Sequence, residues 1–265
     1  MSQQFAQLLL YFSDFMRHAK FVTWAIDISE MRRRVAHALR SLSIQCTPSS
    51  GPLVSVVVPT RNEADVLPKL LYSILSIKNQ CYRDIEVVVA DYMSTDGTPQ
   101  IAKLLGARVL NLDKPGVGYA TYLAVDECKG EIIIRTDADT IFPKDIISFT
   151  VAMLRDRSKL VAHVGHVYYD GGFIENAMAF YYDKYLRKPW NTTGHFIAFK
   201  RELVEKGINF NPKLRYDDDW DFGYRVYQAF GPHVFKYNYY KSVLVSARRI
   251  HATGLLRYIL GFRRR

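Results

Sequence analysis

Two carboxylates two positions apart, Asp137 and Asp139, follow the apolar run Ile132-Ile133-Ile134 and precede Phe142-Pro143. Where a strand leaves its sheet, such a pair can converge on one cation. Hard ions such as Mg2+ and Mn2+ prefer oxygen ligands and share them readily with a diphosphate. The cation then offsets charge building on a departing diphosphate. A solvated strand-end turn is the structural alternative, and the pair alone does not exclude it. A second acidic group, Asp217-Asp218-Asp219, opens a segment with helical periodicity that runs to Phe230. A carboxylate held there can take the proton from an attacking hydroxyl. Acids at a helix start are also favoured by the helix dipole alone, and Asp221 can pair with Arg225 four residues on. A third group, Arg248-Arg249, follows Val243-Leu244-Val245-Ser246. A strand there would carry the two arginines to the same rim, where a planar guanidinium suits a diphosphate or another phosphate.

These residues need elements to position them. Leu53 to Thr60 is a short β-branched apolar run, the pattern of a buried strand. Glu63 to about Ile77 has helical spacing, and Asp84 to Asp91 is a second buried strand. Thr98-Pro99 reads as a cap followed by proline at the first helical position. A short strand near Arg108 to Leu112, a helix from about Gly118 and a strand from Glu131 to Asp139 follow. Strands alternating with helices predict an α/β fold, a doubly wound and mostly parallel sheet with helices on both faces. In such a sheet ligands bind beyond the carboxyl ends of the strands. Thr60 and Glu63, then Asp91 with Ser94 to Thr98, then Asp137 and Asp139 would share one rim. Further on, a helix near 144–155, a strand near 160–167, a helix near 173–186 and the helix at 218–230 complete the reading.

The flanks are read separately. Residues 1 to about 45 have helical spacing, with one stripe from Phe5 to Met16 continued by Val22 and Ile26. Met31, Val35 and Leu39 mark a second helix that leaves Arg32, Arg33 and Arg34 exposed. Residues 46–52 have the composition of a linker. The division expected is a helical extension and linker at 1–50, a catalytic domain at 51–235 and a basic segment at 236–265.

Bulk properties narrow the class. With 265 residues, 49% hydrophobic and 23% charged, the chain is ordinary globular protein rather than disordered or fibrous. No apolar run reaches the roughly 18 residues of a membrane span, and the N-terminus lacks the basic start of a signal peptide. Cys46, Cys81 and Cys128 are odd in number and widely spaced, which predicts no disulfide and a reducing compartment. The net charge of +10 is concentrated at the end: from Val234 onward there are eight Lys and Arg and no Asp or Glu. A basic end calls for an anionic partner, of which phosphate and lipid head groups fit better than nucleic acid. Gly116 and Gly118 lack the third glycine and acidic partner of a dinucleotide site, and no P-loop is present.

Taken in order, VSVVVPTRNEADVLPKLLYSI, the strand ending in Asp91 with STDGT after it, and EIIIRTDADTIFP resemble the inverting family 2 glycosyltransferases of GT-A fold over about Pro52 to Phe230. The resemblance implies that Thr60 and Glu63 contact the nucleoside and that Asp91 meets the base or ribose. It implies that Asp137 lies near ribose and metal, and that Asp139 is the metal ligand for Mg2+ or Mn2+. The acidic pair such enzymes carry on a later helix matches Asp218-Asp219, which makes Asp219 the general base. Gly194 and His195 fall where an acceptor-side loop is expected, with Asp218 and Trp220 nearby. His195 has a plain structural role as its alternative. The donor would be a UDP-, GDP- or dTDP-sugar.

There are departures. Tyr92 stands where a second acid is usual, and Met93 where glycine is usual. Ala120-Thr121-Tyr122 replaces a motif carrying an arginine, for which Lys114 or Arg135 could substitute. The QxxRW motif of processive synthases is absent. A nucleotidyltransferase on a related scaffold would need a Gly-rich loop after the first strand, which PTRNEAD is not. A non-catalytic binding protein derived from a transferase is disfavoured by the intact Asp137, Asp139 and Asp219. The C-terminal HATGLLRYILGFRRR alternates apolar residues with arginines and could lie on an anionic membrane surface. That would place the protein in the cytoplasm, peripheral on the membrane, with a lipid-linked or membrane-associated acceptor. Packing on the domain or a homodimer contact is the alternative for both terminal stripes.

Overall fold

The structure is a computed structural model that describes residues 21–64 and 67–254. Helix α1 (Phe21–Arg40) comes first. Strand β1 (Val54–Thr60), helix α2 (Leu67–Lys78), β2 (Ile85–Tyr92), α3 (Thr98–Leu104) and β3 (Arg108–Leu112) follow. Next are α4 (Val117–Glu127), β4 (Ile132–Arg135), α5 (Ile146–Leu154), β5 (Val161–Tyr168) and α6 (Phe173–Tyr181), which runs into a π-helical turn, Tyr182–Leu186. Then β6 (Ile197–Lys200), α7 (Glu202–Glu205), α8 (Asp218–Phe230), β7 (Phe235–Val245) and α9 (Arg248–Thr253) complete the order among the described residues.

Among the described residues seven strands form one sheet in the order β3-β2-β1-β4-β6-β5-β7. The α/β expectation of a mostly parallel, doubly wound sheet holds. β1 pairs in parallel with β2 and β4, and β5 with β7, whereas β6 runs antiparallel to both its neighbours. Val54, Val56 and Val58 pack into one core layer with Ile74, Ile77 and Ile134. Val57, Val88 and Ile133 enter the opposite layer with Phe199 and Phe222. This two-sided burial is why β1, β2 and β4 read as unbroken apolar runs. The register sets Thr60 beside Asp91 and Val57 beside Arg135, so the ends of the three strands share a rim.

Several expectations need correction. Residues 21–40 form one unbroken helix rather than parts of two. Its inward face carries Met31, Arg34 and Ala38, all buried, while Leu39 is exposed. Consecutive helical residues point about 100° apart, so three arginines in a row cannot share the solvent face. The stripe from Phe5 to Met16 and the segment from Leu255 to Arg265 lie outside the described residues. Cys46 and Cys81 are joined in a disulfide with their Cα atoms 5.8 Å apart, which overturns the disulfide-free expectation and removes its argument for a reducing compartment. The bond is local in space, because a parallel bridge sets Ser49 beside Tyr82. The stretch at 46–52 is therefore tied down rather than a free linker. β4 ends at Arg135, four residues short of expectation, leaving Asp137 and Asp139 in the turn beyond it. β6 and most of β7 were not foreseen.

Candidate active site

Three loops meet above the ends of β1, β2 and β4. Asp91, at the end of β2, is buried and accepts bonds from Thr60 Oγ1 (2.9 Å), Ser94 N (3.0 Å) and Ser94 Oγ (2.6 Å). Asn62 locks the first two loops together: its amide donates to Ser94 Oγ (2.8 Å) and its side-chain oxygen accepts from Thr95 N (3.0 Å). Asp96 accepts from Ala64 N (2.6 Å) and Thr98 N (3.0 Å), so the turn that starts α3 also fixes the end of the first loop. Tyr92 lies under the Arg61 guanidinium, 4.9 Å from its centre. Met93 adopts a φ of 46°, a left-handed conformation that strongly favours glycine. The backbone has thus kept the shape for which the resemblance expects glycine.

Arg135, the last residue of β4, organises the acidic centre. Its Nη1 reaches Asp137 Oδ1 (2.5 Å) and the Gly194 carbonyl (2.6 Å), and its Nη2 lies 3.4 Å from Asp218 Oδ1. It is 2% exposed. Burial alone would lower its pKa, but Asp218 and Asp137 outweigh that and raise it, so the guanidinium stays charged. The converse holds for Asp137. Burial would raise it, yet Arg135 and then His195 hold it well below the usual carboxylate range. His195 Nδ1 is 3.5 Å from Asp137 Oδ2. Arg135 was foreseen only as a stand-in for a missing donor contact. The signal for its bridging role was an arginine closing a buried strand, where it requires carboxylate partners.

The start of α8 closes the centre. Asp218 is buried, is bonded by Thr121 Oγ1 (3.1 Å) and has its pKa raised by desolvation against the pull of Arg135. Thr121, in the place of the missing arginine, therefore serves α8. Asp219 is half-buried, and each of its oxygens accepts one backbone N–H: Gly194 at 2.5 Å and Trp220 at 2.9 Å. A carboxylate oxygen has two lone pairs, so each keeps acceptor capacity. Thr192 Oγ1 donates to the Asp219 carbonyl (2.5 Å). A Cβ on Gly194 would sit 2.1 Å from Arg135 Nη1, and one on Gly223 would sit 2.2 Å from the Trp190 carbonyl. Both glycines permit the close contact that brings Asp219 to the rim. Trp220 is half exposed and stacks on Tyr224, ring centres 5.2 Å apart.

Arg248 reaches the rim from the end of β7. Its Nε is 2.7 Å from Asp139 Oδ2, and its Nη1 and Nη2 meet Glu63 Oε2 and Oε1 at 2.8 and 3.0 Å. Arg249 is exposed and touches the centre only through its field at Asp137. Tyr169 lies beside this group, its phenol pushed up to about 12 by burial. Thr60, Glu63, Asp91, Asp137, Asp139, Arg248, Gly194, His195, Asp218 and Asp219 are thus brought together, with Trp220 at the margin and Arg249 outside. Among the described residues no group of three or more His, Cys, Asp or Glu forms a metal cage. Mg2+ and Mn2+ need no such cage when one or two carboxylates and substrate phosphates complete the shell. Asp137 and Asp139, which keep 16% and 9% of their side-chain surface at the rim, supply carboxylates of that kind.

Residues 55–208 match the family described as Glycosyl transferase family 2. A PGL/p-HBAD biosynthesis glycosyltransferase of Mycobacterium bovis is 30% identical over 186 residues, which cover 67% of this chain and 71% of that one. A low-salt glycan biosynthesis hexosyltransferase of Haloferax volcanii is 32% identical over 121 residues, 46% of this chain. The match spans only 29% of the length of that relative. The fold is similar to that of a mannosyltransferase from Pyrobaculum calidifontis solved with GDP-Man and Mn2+, at a TM-score of 0.58 and 24% identity, covering 90% of this chain and 73% of the other.

Proposed function

The chain belongs to glycosyl transferase family 2, and from that premise we propose that it moves a sugar from a nucleoside-diphosphate donor to an acceptor hydroxyl with inversion. The observation that carries this reading is Asp219, held by the Gly194 amide in the loop that also binds Arg135 and Asp137. The base and one candidate metal ligand, Asp137, are thereby joined through one buried arginine, while the other, Asp139, is held by Arg248.

The roles follow from position. Thr60, Asp91 and the two loops locked by Asn62 bound the nucleoside. Asp139 and Asp137 would hold Mg2+ or Mn2+, which when bound offsets charge on the departing diphosphate. Asp219 takes the proton from the acceptor oxygen as that oxygen bonds to the anomeric carbon and the bond to the diphosphate breaks. Asp218, buried and bonded, orients the start of α8 and leaves proton transfer to its neighbour. We take the catalytic unit to run from residue 51 through β7, since β7 pairs with β5. The basic, apolar C-terminal sequence supports a lipid-linked or membrane-associated acceptor, with the protein peripheral on an anionic surface. Among the described residues no helix is long and apolar enough to cross a membrane.

The test is donor turnover with UDP-, GDP- and dTDP-sugars in the presence of Mn2+ or Mg2+, then with EDTA. Turnover of at least one donor is expected, lost with EDTA and lost in Asp139→Ala at unchanged melting temperature. Undiminished turnover in excess EDTA would remove the metal from the reading.

A further inference from the structure

Asp139 already has a cationic partner in the protein alone. Every nitrogen of the Arg248 guanidinium is engaged with a carboxylate, Nε with Asp139 and the two Nη with Glu63. These carboxylates come from two separate loops, one after β1 and one after β4. Their side chains are only 15% and 9% exposed, while that of Arg248 is 30% exposed. The backbone beneath Arg248 is fixed: Ser246 Oγ and Ala247 N both donate to Asp170, at 2.7 and 2.6 Å. The side chain is the part free to change partner, and its fork suits a diphosphate as well as a carboxylate.

We propose that Arg248 is a placeholder for the metal, neutralising Asp139 and Glu63 while the donor site is empty, releasing Asp139 when a divalent cation binds with a nucleoside diphosphate, and then turning to the diphosphate. The inference rests on the reading of Asp139 as a metal ligand. Two nearly buried carboxylates without a cation would be costly to hold together. A dication arriving alone must displace the guanidinium and then sit beside it, charge against charge. A dication arriving with a diphosphate brings a new partner for the displaced fork. Metal and nucleotide should therefore bind cooperatively, each favouring the other by the same factor.

The experiment is a Mn2+ titration of the full chain, following the free-ion signal by electron paramagnetic resonance, without nucleotide and with UDP or GDP. The proteins are the parent, Arg248→Gln, Arg248→Lys, Arg249→Gln and Asp139→Asn, each checked by thermal melting. Removing one charge-assisted contact should change affinity by about tenfold. Arg248→Gln is expected to bind Mn2+ alone about tenfold more tightly and Mn2+ with the preferred nucleotide about tenfold more weakly. Arg248→Lys should fall between it and the parent. Arg249→Gln, which lacks the contact, should move the Mn2+-alone affinity by less than about twofold. If Asp139→Asn abolishes metal binding but Arg248→Gln does not tighten it, the placeholder fails and the metal site stands. Equal tightening by both glutamine variants would point to a general field and also overturn the placeholder. No Mn2+ binding by the parent with either nucleotide would remove the metal site and the inference with it.

Discussion

Two clusters of arginine and aspartate lie within one molecule and differ in what they can do. At the rim, Arg135 and Arg248 pair with Asp137, Asp218, Asp139 and Glu63. Under α1, Arg34 pairs with Asp183, which also faces Arg187 and His166. The chemistry is alike and the exposure is not. Asp137 keeps 16% of its side-chain surface, whereas Asp183 keeps none. A sealed pair cannot change partner without unfolding its surroundings, so the inner cluster fastens α1 to the π-helical turn and β7. Arg34 Nε also donates to Ser242 Oγ at 2.9 Å, and Lys184 reaches Asp27 and Glu30 at 2.9 and 2.8 Å. The outer cluster is open on the side of Arg248 and Asp137, which keep 30% and 16% of their side-chain surface, and there partners can exchange. The two meet at His166 and His195, whose rings are 5.0 Å apart.

The sharpest break between them is expected from Asp219→Asn. General acid–base groups contribute roughly 10²- to 10⁴-fold, so transfer should fall by that factor while nucleotide affinity and melting temperature stay near the parent. A loss below about threefold would take the base role from Asp219.

The rim was largely legible in the sequence and the inner cluster was not. β1 and β2 announce themselves because both faces are buried, and their polar ends then stand out. α8 was bounded correctly at Asp218 and Phe230 by its acidic start and its helical periodicity. β7 was visible only in its last residues. Its first half, Phe235 to Tyr240, mixes exposed and half-buried tyrosines at the sheet edge, so no apolar run marks it. β6 has four residues and runs against its neighbours, and short strands of that kind carry little pattern. Arg34 sits within Arg32-Arg33-Arg34, where composition suggests solvent and only helical phase reveals the buried member. The Cys46–Cys81 bond spans 35 residues, with no motif to pair its ends.

Next in size is the effect of cutting the inner cluster. Arg34→Met leaves Asp183 short of one partner in a site closed to water. Breaking a buried pair in this way typically costs about 3–5 kcal/mol. Chemical denaturation should report that loss, while nucleotide affinity, measured well below the new midpoint, should change less than about twofold. An Arg34→Met/Asp183→Asn double variant should lose less than the sum of the single ones, because the two side chains touch. A tenfold change in nucleotide affinity at unchanged stability would erase the distinction between fastening and site.

Smallest for each pH unit crossed is a pH dependence centred on two histidines of the inner region. His163 and His166 are both buried, and desolvation lowers their pKa values to about 3 and about 4. For His166 the attraction of Asp183 works against that lowering, and the nearby His195 and Arg187 add to it. His163 has Arg187 and Asp183 in reach and bonds the Pro189 carbonyl at 2.8 Å. In the unfolded chain both would titrate near 6.5. Between about pH 6.5 and pH 4 the unfolded state therefore binds protons that the folded state refuses. The stability these histidines contribute is full above that window and declines as pH falls through it. The slope reaches at most about 1.4 kcal/mol per pH unit for each histidine. Urea denaturation at half-unit steps should show the decline, and His163→Gln should make it shallower by about one proton. A parent curve flat from pH 6.5 to 4.5 would mean that the inner cluster admits protons and water after all, and that sealing is not what separates it from the rim.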